Sequence, residues 1–242
     1  MSSAASTENA ASAQPPGHGH VPHQHHPELS HHFEDLRQQR DSLTLGMWAF
    51  LVQEIMFFGG LFCAFLVYRT AHTEAFNAGS SHLDVKWGTI NTVVLIGSSL
   101  TMALAVGQAQ RGNRKGVVTW MLATGALGLT FLGIKAVEYT SKWEHGLVPG
   151  RFFLRGDHHG LEDILPMADK VELFYGFYFV MTGMHALHMI IGIGLMVWVL
   201  IETFKGKVTQ NRHAIVENFG LYWHFVDIVW IFLFPFLYLL GR

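Results

Sequence analysis

The stretch YWHFVDIVWIFLF (222–234) is apolar and aromatic except for His224 and Asp227, which stand three residues apart and so share one face of a helix. Ionisable residues recur in the other apolar runs: Glu54 in the first, Lys135 and Glu138 in the third, His185 and His188 in the fourth. Such side chains are costly in hydrocarbon, so each is a candidate for function. Histidines on two helices, His188 and His224, are of the right type to act as axial ligands of a membrane haem. A carboxylate-bridged di-iron site needs Glu-x-x-His pairs on two helices. Within the apolar runs there is no such pair, and the single His-x-x-His stands alone. Carboxylates and histidines in series also make proton relays, and Glu54 could begin one. The remaining reading is packing and lipid contact, in which an intramembrane histidine hydrogen-bonds across helices and Glu54 needs only a partner. The residues by themselves leave relay and packing open. Lys135 and Glu138, at i and i+3, form an ion pair or leave the lysine free to reach outward to the headgroups.

These residues need helices to hold them. Half of the 242 residues are hydrophobic and 14% are charged, against about 25% in an average soluble domain. Mean hydropathy is +0.27. The composition is that of a polytopic membrane protein. A formal net charge of -2 speaks against nucleic-acid binding. The single cysteine, Cys63, lies in an apolar run and offers neither a disulfide framework nor a CxxC metal pair. The opening MSSAASTENAASAQPPGHGH has no basic segment followed by an apolar one, so no signal peptide is expected there. Residues 1–40 read as a disordered tail whose run GHGHVPHQHHPELSHH is rich enough in histidine to hold a divalent metal weakly; solvation alone explains it as well.

A bilayer core of about 30 Å takes roughly 20 apolar residues of helix. Five segments qualify, at about 44–68, 89–109, 117–139, 173–203 and 219–240, and no alternating pattern suggests a β-barrel. The expected fold is an all-α five-helix membrane bundle over 41–242. Arg37, Arg40, Arg111, Arg114, Lys115, Lys205, Lys207 and Arg212 all fall on one side of it. That side is cytoplasmic by the positive-inside rule, which puts the N-terminus in the cytoplasm and the C-terminus in the periplasm. At 1.5 Å of rise per residue, Glu54 lies roughly 15 Å from the inner face, His224 roughly 8 Å and Asp227 roughly 12 Å. His185 and His188 fall at similar depths. One polar cluster between spans one, four and five is therefore expected, with His224 and Asp227 finding their partners on spans one and four.

Four segments, GMWAFLVQEIMFFGGLFCAFLVYR (46–69), LTFLGIKAVEY (129–139), FYFVMTGMHALHMIIG (177–192) and YWHFVDIVWIFLF (222–234), resemble subunit III of the haem–copper respiratory oxidases in content, order and spacing. The resemblance runs from about residue 40 to the end. It implies a chain with no catalytic residues and no metal of its own, in a complex whose haem and copper lie in subunits I and II. It implies packing against subunit I, bound phospholipid, and support of proton uptake and of the catalytic subunit's durability. Glu54 matches the family's carbodiimide-reactive glutamate. His185, His188, His224, Asp227 and Glu138 match motif positions whose role is mainly structural. Long members have seven helices. Five helices point to a bacterial chain in the plasma membrane, one lacking the pair that forms a wall of the family's lipid cleft. A cytochrome c oxidase is the first expectation. Quinol oxidase, nitric oxide reductase and a free-standing haem or di-iron membrane protein are the alternatives.

Overall fold

The computed structural model describes residues 36–151, 153–154, 162, 164–206, 208 and 213–241. The histidine-rich stretch, Lys207 and Arg212 lie outside the described residues, as do the side chains of Arg37 and Arg40. The chain divides into two compact units, Met1–Asp41 and Ser42–Arg242. The second unit holds every candidate residue. Of the first, only the opening turns of a helix are described.

With no water in the bilayer core, backbone groups must bond within their own segment, and long apolar runs free of proline do so as helices. The helices are α1 (Leu36–Ala71), α2 (Thr73–Ser81), α3 (Val85–Gln110), α4 (Arg114–Glu144), α5 (Ala168–Phe204) and α6 (Ala214–Phe234). A single 3₁₀ turn, Leu165–Met167, leads into α5. Pro235 cannot donate to the ladder, and α6 continues as a π-helical turn over Pro235–Leu239. Among the described residues five helices are long and apolar enough to cross a membrane, and each of the five expected spans lies within one of them or its continuation, the last to within one residue. Among the described residues there is no strand.

Two local features differ from the sequence reading. Helix α1 starts at Leu36, inside the segment assigned to the tail, because LRQQRD contains good helix formers and no Gly or Pro. The loop 69–88 contains α2, which buries Ala75, Phe76, Gly79 and Ser80. Nine residues of mixed polarity carry too weak a period to announce a helix. Tertiary contact holds this one: Phe76 packs edge-on against Phe65 and Phe174, and Ser80 Oγ donates to Leu237 O at 2.8 Å.

Helix α6 is the hub. In its most apolar window 61% of residues are buried within the protein, against 22% for α1. It packs against α3 and α5, while α4 lies against α3 and α5. The α3–α4 turn closes tightly, with Gly112 at φ +70° and the Asn113 side chain accepting from Gly116 N–H at 3.2 Å. Helix α1 is joined differently. It contributes little close backbone packing; its contacts run largely through rings, Phe58 to Phe225, Phe62 to Phe236 and Phe65 to Phe177. Its other face exposes Leu45, Trp48, Val52, Ile55 and Met56, as a lipid-facing surface does.

Gly79 marks the closest approach of α2 to α5. A Cβ there would lie 2.5 Å from the buried Phe174 ring. Gly79→Ala should cost about 1–3 kcal/mol through overpacking. A thermal melt in detergent would show it as a lowered transition. Gly59→Ala, whose Cβ meets nothing within 4 Å, should leave the transition unchanged or raise it.

Candidate functional site

The ionisable residues do not gather into one cluster. They fall into separate groups, each built by a different set of elements.

Glu54 of α1 and His188 of α5 meet, with Oε2 and Nε2 3.1 Å apart. On the far side of the ring, His188 Nδ1 lies 2.8 Å from Met184 O, one turn back on the same helix. A carbonyl oxygen only accepts, so Nδ1 carries a hydrogen. Nε2 then either accepts a proton from Glu54 or donates one to it. In both arrangements one proton lies between the two groups and the pair is neutral overall. That is the form a low-dielectric setting tolerates, since an unpaired charge there is costly. Tyr222 Oη donates to His188 O at 2.8 Å, and Phe58 stands edge-on to the imidazole at 5.3 Å between centroids. These contacts fix the ring. Both side chains keep about a tenth of their surface accessible (12% and 11%), so the pair sits at the margin of the bundle and not in its core.

His224 and Asp227 turn to α3, not to spans one and four as expected. His224 Nδ1 and Ser99 Oγ are 2.7 Å apart. Ser98 Oγ lies 3.4 Å from Asp227 Oδ2 and donates to Leu95 O at 2.9 Å, while Trp223 Nε1 donates to Ser98 Oγ at 3.1 Å. Depth along a helix says nothing about azimuth, and α6 faces α3 at this level. The pair Ser98–Ser99 is polar at the matching depth of the second span, but short hydroxyl side chains there suit close packing equally well and do not announce a partner. Thr92, which accepts from Trp230 Nε1 at 3.1 Å, extends the same seam.

His185 stands apart from these groups. It is buried against Phe131 and Trp230, at 5.4 and 5.2 Å between centroids, and neither ring nitrogen has a hydrogen-bond partner. It therefore differs from His188 and His224 in every contact. Among the described residues, no three His, Cys, Asp or Glu side chains gather as a metal set.

The third group is the most tightly tied. Lys135 Nζ is 2.8 Å from Glu138 Oε2 and donates to Tyr238 Oη at 2.7 Å. Tyr178 Oη donates to Glu138 Oε1 at 3.0 Å, and Tyr238 Oη donates to the same oxygen. The Lys135 ammonium also lies 4.6 Å from the Trp230 ring centroid, a cation–π distance. Both members of the ion pair are 5% exposed, so the lysine turns inward and does not reach the headgroups. Tyr178 and Tyr238 escaped the sequence reading because tyrosine in an apolar run reads as interface or core. A buried charged pair was the signal that hydroxyl donors had to be near it.

The chain matches the family model described as cytochrome c oxidase subunit III over residues 30–242. It is 34% identical over 203 residues to a cytochrome c oxidase subunit 3 of Thermostichus vulcanus, covering 84% of this chain and 89% of that one. It is 34% identical to a quinol oxidase subunit 3 of Bacillus subtilis, covering 81% and 86%. A heme-copper oxidase subunit I+III of Aeropyrum pernix is 30% identical over 88% of this chain and 24% of its own length.

Removing one member of the buried pair strands the other. Lys135→Met should destabilise the protein by about 3–5 kcal/mol. The double variant Lys135→Met/Glu138→Gln should recover part of that loss, because no uncompensated charge remains. Unfolding of single and double variants in detergent measures the coupling, and strictly additive losses would show that the pair does not act as a unit.

Proposed function

The chain belongs to the cytochrome c oxidase subunit III family, and from that premise we propose that it steadies the catalytic subunit of a bacterial cytochrome c oxidase and supports that subunit's proton uptake. The electron-transferring haem and copper belong to the partner chains, subunits I and II. The fused subunit I+III relative supports subunit I as the direct neighbour. The same reading puts the complex in the bacterial plasma membrane, with the N-terminus cytoplasmic, the C-terminus periplasmic and phospholipid around the bundle.

One observation carries the proton part of the reading. Glu54 Oε2 and His188 Nε2 meet at 3.1 Å at the margin of the bundle, on the loosely attached helix α1. A proton that moves between a carboxylate and an imidazole leaves the net charge of the pair unchanged in lipid, and such pairs serve as relay steps. The Lys135–Glu138 knot and Asp227 are buried, His224 is half-buried beside Ser99, and these contacts serve assembly. Asp227 ties α6 to α3, and the Lys135–Glu138 knot ties α4 to α5 and to the end of α6. A quinol oxidase is the second reading, favoured by the Bacillus subtilis relative at equal identity.

A tag on this chain and a mild-detergent pull-down test the assignment. A haem spectrum should appear together with a large multi-helix partner and leave when that partner is stripped away. Haem or iron retained by the stripped chain would instead make it a redox protein in its own right. A dicopper-bearing companion in the eluate supports cytochrome c as the donor, and its absence favours quinol. In the assembled complex, Glu54→Gln should leave electron transfer largely intact and slow proton uptake, followed with a pH-sensitive dye in reconstituted vesicles. Complete loss of oxidase activity in that variant would argue for a direct catalytic role. Asp227→Ala should lower the yield of assembled complex without removing haem from what does assemble.

A further inference from the structure

Four carboxylates are buried among the described residues: Glu54, Glu138, Glu202 and Asp227. Three of them stand against a basic group. Glu138 has Lys135 Nζ at 2.8 Å, Glu202 has Lys205 Nζ at 3.3 Å and Glu54 has His188 Nε2 at 3.1 Å. Asp227 is 2% exposed, and among the described residues no lysine, arginine or histidine makes an ion pair with it. His224 shares its helix face, but the Nδ1 of that ring is turned to Ser99 Oγ at 2.7 Å.

Neutral donors do not make up for the missing cation. Ser98 has one hydroxyl hydrogen. Its oxygen lies 2.9 Å from Leu95 O and 3.4 Å from Asp227 Oδ2, so the hydrogen goes to the carbonyl. Ser99 also faces the carboxyl group, but its close partner is His224. Asp227 Oδ1 has no hydrogen-bond partner. A carboxylate here would be a buried charge held by one long contact, an arrangement of high cost in a low-dielectric interior. A carboxylic acid fits the same atoms. Its hydroxyl on Oδ2 is a donor, and Ser98 Oγ can accept from it. Trp223 Nε1 occupies one lone pair of that oxygen at 3.1 Å, and a hydroxyl oxygen has two. Oδ1 is then a neutral carbonyl oxygen, which is less costly to leave unpaired than one half of a carboxylate.

We propose that Asp227 is a proton-binding site: in the assembled subunit it carries a proton and, as an uncharged acid, donates it to Ser98 Oγ, latching α6 to α3. The site is separate from the Glu54–His188 pair and does not depend on which oxidase the chain serves. Glu54 and His188 keep about a tenth of their surface open to what surrounds the bundle, whereas Asp227 is closed off beside the fully buried Trp223 and keeps its proton as part of the fold. Oxidase complexes carrying the wild-type chain, D227N or D227A are purified in one mild detergent and compared by yield and by infrared spectroscopy. The wild-type minus D227N spectrum should show the carbonyl band of a protonated carboxyl group, and growth on isotope-labelled aspartate should move that band to lower frequency. Asparagine keeps a donor in the same place without a charge, so D227N should assemble within about twofold of wild type while D227A falls several-fold. Carboxylate bands in place of the carbonyl band overturn the proposal. So does a D227N yield as low as that of D227A, because the negative charge itself would then be needed. Equal yields of all three overturn the latch while leaving the subunit assignment intact.

Discussion

Lipid offers no hydrogen bonds, and the whole arrangement answers to that constraint. Most of the polar side chains placed in the spans find partners on another helix, His185 and Asn91 being exceptions, and those partners decide how the helices pack. Helix α6 has a seam of polar atoms facing α3, where Trp223 and Asp227 meet Ser98, His224 meets Ser99, and Trp230 meets Thr92. Small residues let that seam close. Gly88 and Gly220 stand where a Cβ would press on Phe234 or Val106. Polar satisfaction and close approach therefore specify the same interface.

The Lys135–Glu138 knot shows the constraint at its most demanding. An ion pair in the interior gains from mutual attraction and loses hydration, and the balance depends on the remaining hydrogen bonds. Here Tyr178 and Tyr238 supply hydroxyls from α5 and from the turn after α6, and the Trp230 face meets the ammonium. The pair thus calls on every helix around it. Glu54 and His188 are different in kind. Their pair joins α1 to α5 at an edge, where the helix on one side is attached mainly through phenylalanine rings. Enclosed networks suit structure, and a marginal pair suits exchange with what lies outside the bundle.

The five spans were legible because hydrocarbon thickness sets a length that few other folds require. Family membership was legible from four ordered motifs. The ionisable residues were also visible, since charge within an apolar run is conspicuous. Their partners were not. Depth can be counted from rise per residue, but azimuth depends on which faces meet, so His224 and Asp227 were directed toward the wrong helices. Ser98, Ser99, Tyr178 and Tyr238 were overlooked for a related reason: hydroxyl-bearing residues pass as apolar or small until a charged neighbour needs them. Helix α2 was hidden because tertiary contact, and not local period, holds it.

The position of Tyr238 bears on how the chain is made. Its hydroxyl completes a network whose other members, Lys135, Glu138 and Tyr178, lie on helices translated earlier. Until α6 and the turn after it enter the bilayer, α4 and α5 hold a charged pair that lacks one of its hydroxyl donors. The α3 face with Ser98 and Ser99 waits on the same helix. Membrane insertion of this protein is therefore provisional through most of its synthesis and becomes committed late. A ribosome that stalls before α6 leaves a product whose unsatisfied polar faces distinguish it from a finished subunit, which gives membrane proteases a physical basis for telling the two apart.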